Sequence, residues 1–214
     1  MIDLKIEKKD LLLYAVTERS CLRGKSLEEA VEQAILGGVT CVQLREKNIS
    51  QDELIEEAKK LLAICRKYNV PLIINDDYEA ALKSGADGVH VGIEDAPVAE
   101  IRRIAGESFI IGATAKTVEQ ARLAEASGAD YLGVGAVFPS PTKTNAIRIT
   151  PQQLSEICGC VTLPAVAIGG ITAENVREIK GCGHSGIAAV SAIFGAEDVR
   201  AAVQELCSAV KDTL

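Results

Sequence analysis

Ser84-Gly85-Ala86-Asp87-Gly88-Val89 recurs, with two changes, as Ser127-Gly128-Ala129-Asp130-Tyr131-Leu132. Each copy reads as the end of a helix, a tight turn and the start of a buried strand. Glycine stops a helix there because it enters the left-handed conformation without a Cβ penalty. A device used twice implies a repeated unit. Working outward, short apolar runs alternate with amphipathic stretches from end to end, and strands are expected over 11–17, 41–46, 71–76, 88–92, 109–115, 131–138, 164–170 and 186–194. Between them, Ser26-Leu27-Glu28-Glu29 and Ser50-Gln51-Asp52-Glu53 carry the Ser-x-x-Glu pattern of a capping box. Thr117, Thr150-Pro151 and Thr172 read as further N-caps, with Pro151 at the first helical position. Helix stops fall near Gly37-Gly38, Gly85, Gly128 and Gly181. Strict alternation of strand and helix implies a parallel sheet, and eight units in 214 residues imply a closed (β/α)8 TIM barrel. Residues 1–214 then form a single domain. A doubly wound open sheet is the other arrangement; its usual Gly-rich first turn is missing after strand one.

Composition narrows the function. The formal charge of -7 argues against a nucleic-acid or membrane-surface role, which would want a basic face. An acidic protein that binds anions must gather its cations locally or recruit a metal ion. Aromatics are only 3% and Trp is absent, so small and aliphatic residues must build the core. The seven cysteines are an odd number, and Cys158-x-Cys160 with Cys182 lacks zinc spacing. They read as reduced core residues of a cytoplasmic protein. No apolar run approaches the ~18 residues of a membrane span, and the N-terminus lacks a signal-peptide core.

The chemistry lies at the strand ends. In Cys41-Val42-Gln43-Leu44-Arg45-Glu46-Lys47, period two puts Gln43, Arg45 and Lys47 on one face. Both faces of a buried parallel strand are normally apolar, so two cations and an amide there call for an anion carrying more than one charge. A solvated edge strand is the alternative. Reactive groups of such barrels lie at the strand C-termini. Asn75-Asp76-Asp77, Glu94-Asp95, Thr114 with Lys116, Ser140-Pro141-Thr142-Lys143, Gly169-Gly170 and Ser191 all fall there, with Ser191 expected on strand eight. Asp76 and Asp95 follow consecutive strands. Two close carboxylates need a proton or cation between them, and Mg²⁺ shared with substrate phosphate oxygens suits them. Alternatively, Asp76 caps the next helix and Asp95 steadies a loop. Gly169-Gly170 offers backbone N–H groups for a second anion, helped by a helix starting near Thr172.

Taken together, Gln43-Leu44-Arg45-Glu46-Lys47, Ile74-Asn75-Asp76-Asp77, Gly88-Val89-His90-Val91-Gly92-x-Glu94-Asp95, Phe138-Pro139-Ser140-Pro141-Thr142-Lys143, Ala167-Ile168-Gly169-Gly170-Ile171 and Val190-Ser191-Ala192-Ile193 resemble thiamine-phosphate synthase along the whole chain. The resemblance implies a transferase that couples a hydroxymethylpyrimidine diphosphate to a thiazole phosphate, in the family a carboxylated tautomer that also loses CO₂. It implies that Gln43, Arg45, Lys47, Asn75, Thr114 and Lys143 hold the pyrimidine diphosphate. Arg45, Lys47, Lys143 and Thr114 would serve catalysis. Asp76 and Asp95 would hold Mg²⁺, and Ser140, Pro141, Thr142, Gly170, Val190 and Ser191 the thiazole phosphate. Partners are then small-molecule substrates, with a homo-oligomer left open. The chain departs from the family pattern at Thr114, where Ser is common, at Lys116, where a His is common, and at Ile93, where Gln is frequent. A thiazole tautomerase, a phosphosugar isomerase and a phosphate-binding regulator on the same barrel are the competing readings. An isomerase would need an acid/base pair, and the two histidines offer a poor one. His90 is expected in the core or behind the site, and His184 on an exposed turn.

Overall fold

The computed structural model of the chain describes residues 6–139 and 147–214. Eight parallel strands close into a barrel in sequence order: β1 (Leu13–Val16), β2 (Cys41–Leu44), β3 (Leu72–Asn75), β4 (Gly88–Val91), β5 (Ile110–Ala115), β6 (Tyr131–Gly135), β7 (Ala165–Ile168) and β8 (Gly186–Ala189). β8 pairs with β1, so the sheet has no free edge and neither the open sheet nor the edge-strand reading applies. Every expected strand is present, though shorter than its apolar run. The runs overshoot because the chain leaves the ladder where polar or left-handed residues arrive. Asp76 (φ 64), Gly169 (φ 105) and Gly170 (φ 62) mark two of those exits.

Helices α1 (Leu27–Gly37), α2 (Gln51–Tyr68), α3 (Tyr78–Ser84), α4 (Val98–Ala105), α5 (Val118–Ala126) and α6 (Pro151–Gly159) each follow the strand of the same number. The crossover after β7 holds only a 3-10 helix, Val176–Ile179. After β8 come α7 (Ser191–Phe194) and α8 (Val199–Lys211), and α8 packs on α1 to complete the outer ring. Two expectations need correcting here. Ser191 opens α7 instead of lying on β8, since an apolar run of this length fits helix and strand alike. Thr172 caps no helix: it accepts the Asn175 N–H in a turn, and Asn175 leads the 3-10 helix. The capping box is complete at Ser50–Glu53 and Thr150–Gln153. At Ser26 the hydroxyl accepts from Glu29 N–H.

Period two sorts the strands as expected. Leu13, Ala15, Val42, Leu44, Leu72 and Ile74 pack outward against the helices. Tyr14, Val16, Cys41, Ile73, Ile110, Tyr131, Val166 and Ala188 fill the interior. The seven cysteines are unpaired, and burial pushes the Cys65 and Cys158 thiols up to about 12, where they are inert. His184 is buried at 6% exposure, against expectation. The left-handed glycines Gly181 and Gly183 fold its turn inward. Among the described residues, no helix is long and apolar enough to cross a membrane.

Candidate active site

A cavity of about 630 Å³ opens at the C-terminal end of the barrel, and all eight strands contribute to its wall. The interior face of β2 continues into it through Gln43, Arg45 and Lys47, while Glu46 turns away to pair with Arg19 at 3.0 Å. Asn75 and Asp76 reach the wall from the end of β3, Asp95 from the loop after β4, and Thr114 and Lys116 from the end of β5. Gly170, Val190 and Ser191 line the side formed after β7 and β8. Glu94 is exposed beside Asp95 and is not part of the wall. The expected Ser140, Pro141, Thr142 and Lys143 lie outside the described residues.

Arg45 is held from behind. Its Nη1 donates to Glu18 Oε2 at 2.6 Å, its N–H donates to Thr17 Oγ1 at 2.9 Å, and the Thr17 hydroxyl returns to the Arg45 carbonyl at 3.3 Å. Thr17 is fully buried. Thr17 thus ties the backbone of Arg45 and Glu18 orients its guanidinium, which keeps further N–H groups to offer. Lys47 is exposed at the rim and Lys116 half-buried in the wall. Sequence reasoning missed Thr17 and Glu18, because their link to β2 depends on the β1–β2 register.

The two carboxylates divide capping from lining. Asp77, not Asp76, caps α3, accepting the Ala80 N–H at 2.8 Å. The Asp76 N–H donates to the His90 carbonyl at 2.8 Å, continuing the β3–β4 ladder by one residue. Asp95 does steady its loop, Oδ2 accepting from Gly92 N–H at 2.7 Å, and it lines the cavity as well. Among the described residues, no group of three or more His, Cys, Asp or Glu could hold a metal ion. Two cavity-facing carboxylates fit Mg²⁺ in the manner that completes its shell with water and ligand oxygens.

His90 is half-buried and lines the cavity, its Nε2 3.1 Å from Thr114 Oγ1 and its Nδ1 3.1 Å from Tyr131 Oη. Tyr14 also lines the floor and accepts from Gln43 Nε2 at 2.9 Å. The tyrosines were not expected at the site; their one signal is that inward period-two positions carry two of the chain's few aromatics.

A closed parallel barrel whose strand ends gather cations, carboxylates and a glycine corner defines a TIM-barrel enzyme working at its C-terminal face. Comparison with known proteins makes this particular. The family model described as thiamine monophosphate synthase matches residues 13–193, and the chain belongs to that family. The thiamine-phosphate synthase of Clostridium tetani is 49% identical over 197 residues, covering 92% of this chain and 94% of that one. That of Fusobacterium nucleatum is 41% identical over 201 residues, covering 94% and 98%. The structure of thiamine phosphate pyrophosphorylase from Pyrococcus furiosus superposes with a TM-score of 0.89 at 41% identity, covering 97% and 98%. A 3-hexulose-6-phosphate synthase, at 16% identity and a TM-score of 0.65, shares the fold alone. The protein is an enzyme of the transferase class, as these relatives are.

Proposed function

We propose that the enzyme joins 4-amino-2-methyl-5-hydroxymethylpyrimidine diphosphate to a thiazole phosphate, giving thiamine monophosphate and diphosphate, with CO₂ lost as well from a carboxylated thiazole. The observation that carries this reading is the convergence in one cavity of Arg45, Lys47, Asp76 and Asp95 from β2–β4 with Gly170 and Ser191 from the β7–β8 side. Two separate anion-binding corners suit two phosphorylated substrates. The bond between the methylene carbon and the diphosphate oxygen breaks, its electron pair leaving with diphosphate. The aminopyrimidine ring donates electron density to the methylene, and the thiazole nitrogen lone pair forms the new C–N bond. The positive charge ends on the thiazolium, so no side-chain nucleophile is required.

Arg45, Lys47 and Lys143 act on the departing oxygens. Arg45 is suited to this because Glu18 and Thr17 hold it in place, and preorganised charge costs little reorganisation during reaction. Gln43, Asn75 and Thr114 orient the pyrimidine. Ser140, Pro141, Thr142, Gly170, Val190 and Ser191 hold the thiazole phosphate against the cationic carbon, which is a positioning task. Asp76 and Asp95 would hold Mg²⁺, which when bound supplies charge stabilisation to the diphosphate. The small soluble substrates and unpaired cysteines suit a cytoplasmic setting.

The test is direct assay of thiamine monophosphate from the two substrates, with Mg²⁺ and with chelator. Product should form only with the metal. Asp76→Ala and Asp95→Ala should each lower turnover on the order of 10²–10³-fold. No product under any metal condition would remove the coupling reading; full activity of both variants in chelator would remove the metal from it.

A further inference from the structure

The floor of the cavity contains one continuous hydrogen-bonded chain built from five strands. Gln43 Nε2 donates to Tyr14 Oη at 2.9 Å, Tyr14 Oη lies 2.8 Å from Tyr131 Oη, Tyr131 Oη lies 3.1 Å from His90 Nδ1, and His90 Nε2 lies 3.1 Å from Thr114 Oγ1. Both tyrosines are buried, at 1% and 0% exposure. Space has been cleared for the rings. A Cβ on Gly112 would sit 2.2 Å from Tyr131 Cζ and 2.5 Å from His90 Nδ1, and one on Gly133 would sit 2.8 Å from His90 Cε1. β5 and β6 each leave out a side chain where this pair of rings lies.

The direction of the chain follows from counting protons. The Gln43 amide nitrogen can only donate, so the Tyr14 oxygen accepts there. Its single proton then passes to the Tyr131 oxygen, the thiol of Cys41 beside it being the weaker acceptor. Tyr131 has now accepted, so its own proton points to His90 Nδ1. A ring nitrogen that accepts carries no hydrogen, which puts the imidazole hydrogen on Nε2. Nε2–H donates to Thr114 Oγ1. The Thr114 oxygen accepts there, which frees its own proton, with one lone pair, for the cavity that Thr114 lines. Burial holds both phenols well above the usual tyrosine range, so both keep their protons at neutral pH.

We infer that Tyr131 and His90 are positioning residues: with Tyr14 and Gln43 they form a one-way relay that presents the Thr114 hydroxyl as a hydrogen-bond donor to a lone pair of the bound substrate. The inference rests on the reading of Thr114 as a contact to the pyrimidine. A substrate with an acceptor atom there meets a free proton, whereas a donor atom at the same place must turn that proton aside to reach the remaining lone pair and is disfavoured. The relay so acts on orientation and specificity, and it needs no proton to be transferred.

A double-mutant cycle tests it, with steady-state kinetics on varied pyrimidine diphosphate. Thr114→Ala and Tyr131→Phe should each lower kcat/KM, the latter by about tenfold, the value of one hydrogen bond of about 1.4 kcal/mol. The double variant should be no slower than Thr114→Ala alone, because Tyr131 acts only through that hydroxyl. Thr114→Ser should stay sensitive to Tyr131→Phe. A second cycle with His90→Leu in place of Tyr131→Phe should behave alike, and His90→Gln, which keeps a nitrogen donor, should recover part of the loss. This cycle serves if Tyr131→Phe does not fold. Losses that multiply would overturn the relay and leave the Thr114 contact standing, as would a silent Tyr131→Phe beside an impaired Thr114→Ala. A silent Thr114→Ala would overturn the contact itself and the relay with it.

Discussion

Asp76 and Asp77 are adjacent and chemically identical, yet their surroundings assign them different work. Asp77 caps α3 and also accepts Gln51 Nε2 at 2.9 Å, joining the start of α2 to the start of α3. Asp76 adopts the left-handed backbone (φ 64), which Asp tolerates better than most residues, and so reaches the cavity wall. Asp77→Ala should cost about 1 kcal/mol of stability, the usual value of an N-cap, while turnover changes little. Asp76→Asn, which tolerates the same left-handed backbone but loses the charge, should do the reverse. Urea unfolding beside turnover distinguishes them, and a folding defect confined to Asp76→Asn would refute this division. A similar contrast separates Lys47 from Gly170. Lys47→Ala should raise KM for the pyrimidine diphosphate, because only a charge at the rim is lost. In Gly170→Val the new Cβ would sit 2.1 Å from the Pro139 carbonyl oxygen on a backbone with φ 62, so the glycine corner must shift. Its KM for the thiazole phosphate should rise. Titrating each substrate separately would show the opposite if both variants weakened the same one.

At the scale of elements, the Ser-Gly-Ala-Asp repeat carries a joint as well as a stop. Asp87 accepts Leu72 N–H at 2.8 Å and pairs with Arg66; Asp130 accepts Ile111 N–H at 2.7 Å and pairs with Arg102. In both copies the Asp ties the preceding strand to an Arg of the helix before that strand. Arg102 goes further, donating also to the carbonyls of Gly106, Phe109 and Gly128. With Arg102 and Asp130 at 12% and 18% side-chain exposure, Arg102→Ala should cost roughly 3–5 kcal/mol, since it strands a largely buried carboxylate. Arg102→Lys should recover only part, because a single ammonium cannot serve those acceptors as a planar fork does. Equal urea midpoints for wild type and Arg102→Lys would contradict this account. The repeat was legible as a turn because glycine stops and strand period are local. The Arg joints were not, since nothing near Asp130 in sequence points to a partner 28 positions away. The 3-10 helix after β7 and the start of α7 escaped for a different reason: their apolar runs are too short to show a period.

At the scale of the molecule, barrel closure turns local signals into a site. Gln43, Arg45 and Lys47 were readable as one face of one strand, and closure aims that face into the same cavity as Asp76, Asp95 and Ser191. The relay was not readable, because Tyr14 and Tyr131 are 117 residues apart and meet only across the closed barrel. Closure also buries what local sequence leaves ambiguous, and His184 is the clearest case. Its turn is rich in glycine and looks solvated, yet the ring lies inside the fold, and burial lowers its pKa below the ordinary 6.5. Backbone groups of Ile179 and Gly186 lie close enough to offset part of that shift, but neither ring nitrogen has an aligned hydrogen bond. The sign is therefore fixed. The unfolded chain takes up the His184 proton near pH 6.5 and the folded protein only at lower pH, so the stabilisation is complete above 6.5 and lost as pH falls through the folded value. Burial raises the Glu46 pKa, which acts in the opposite sense from 4.5 upward, so the whole-protein profile mixes the two. Subtracting a His184→Gln variant isolates the histidine. Its stability difference from wild type should shrink on the wild-type side as pH drops from about 7.5 to about 5. A difference that stays flat across that window would mean that the ring titrates alike in the folded and unfolded chain, and that the burial of His184 carries no penalty on its charge.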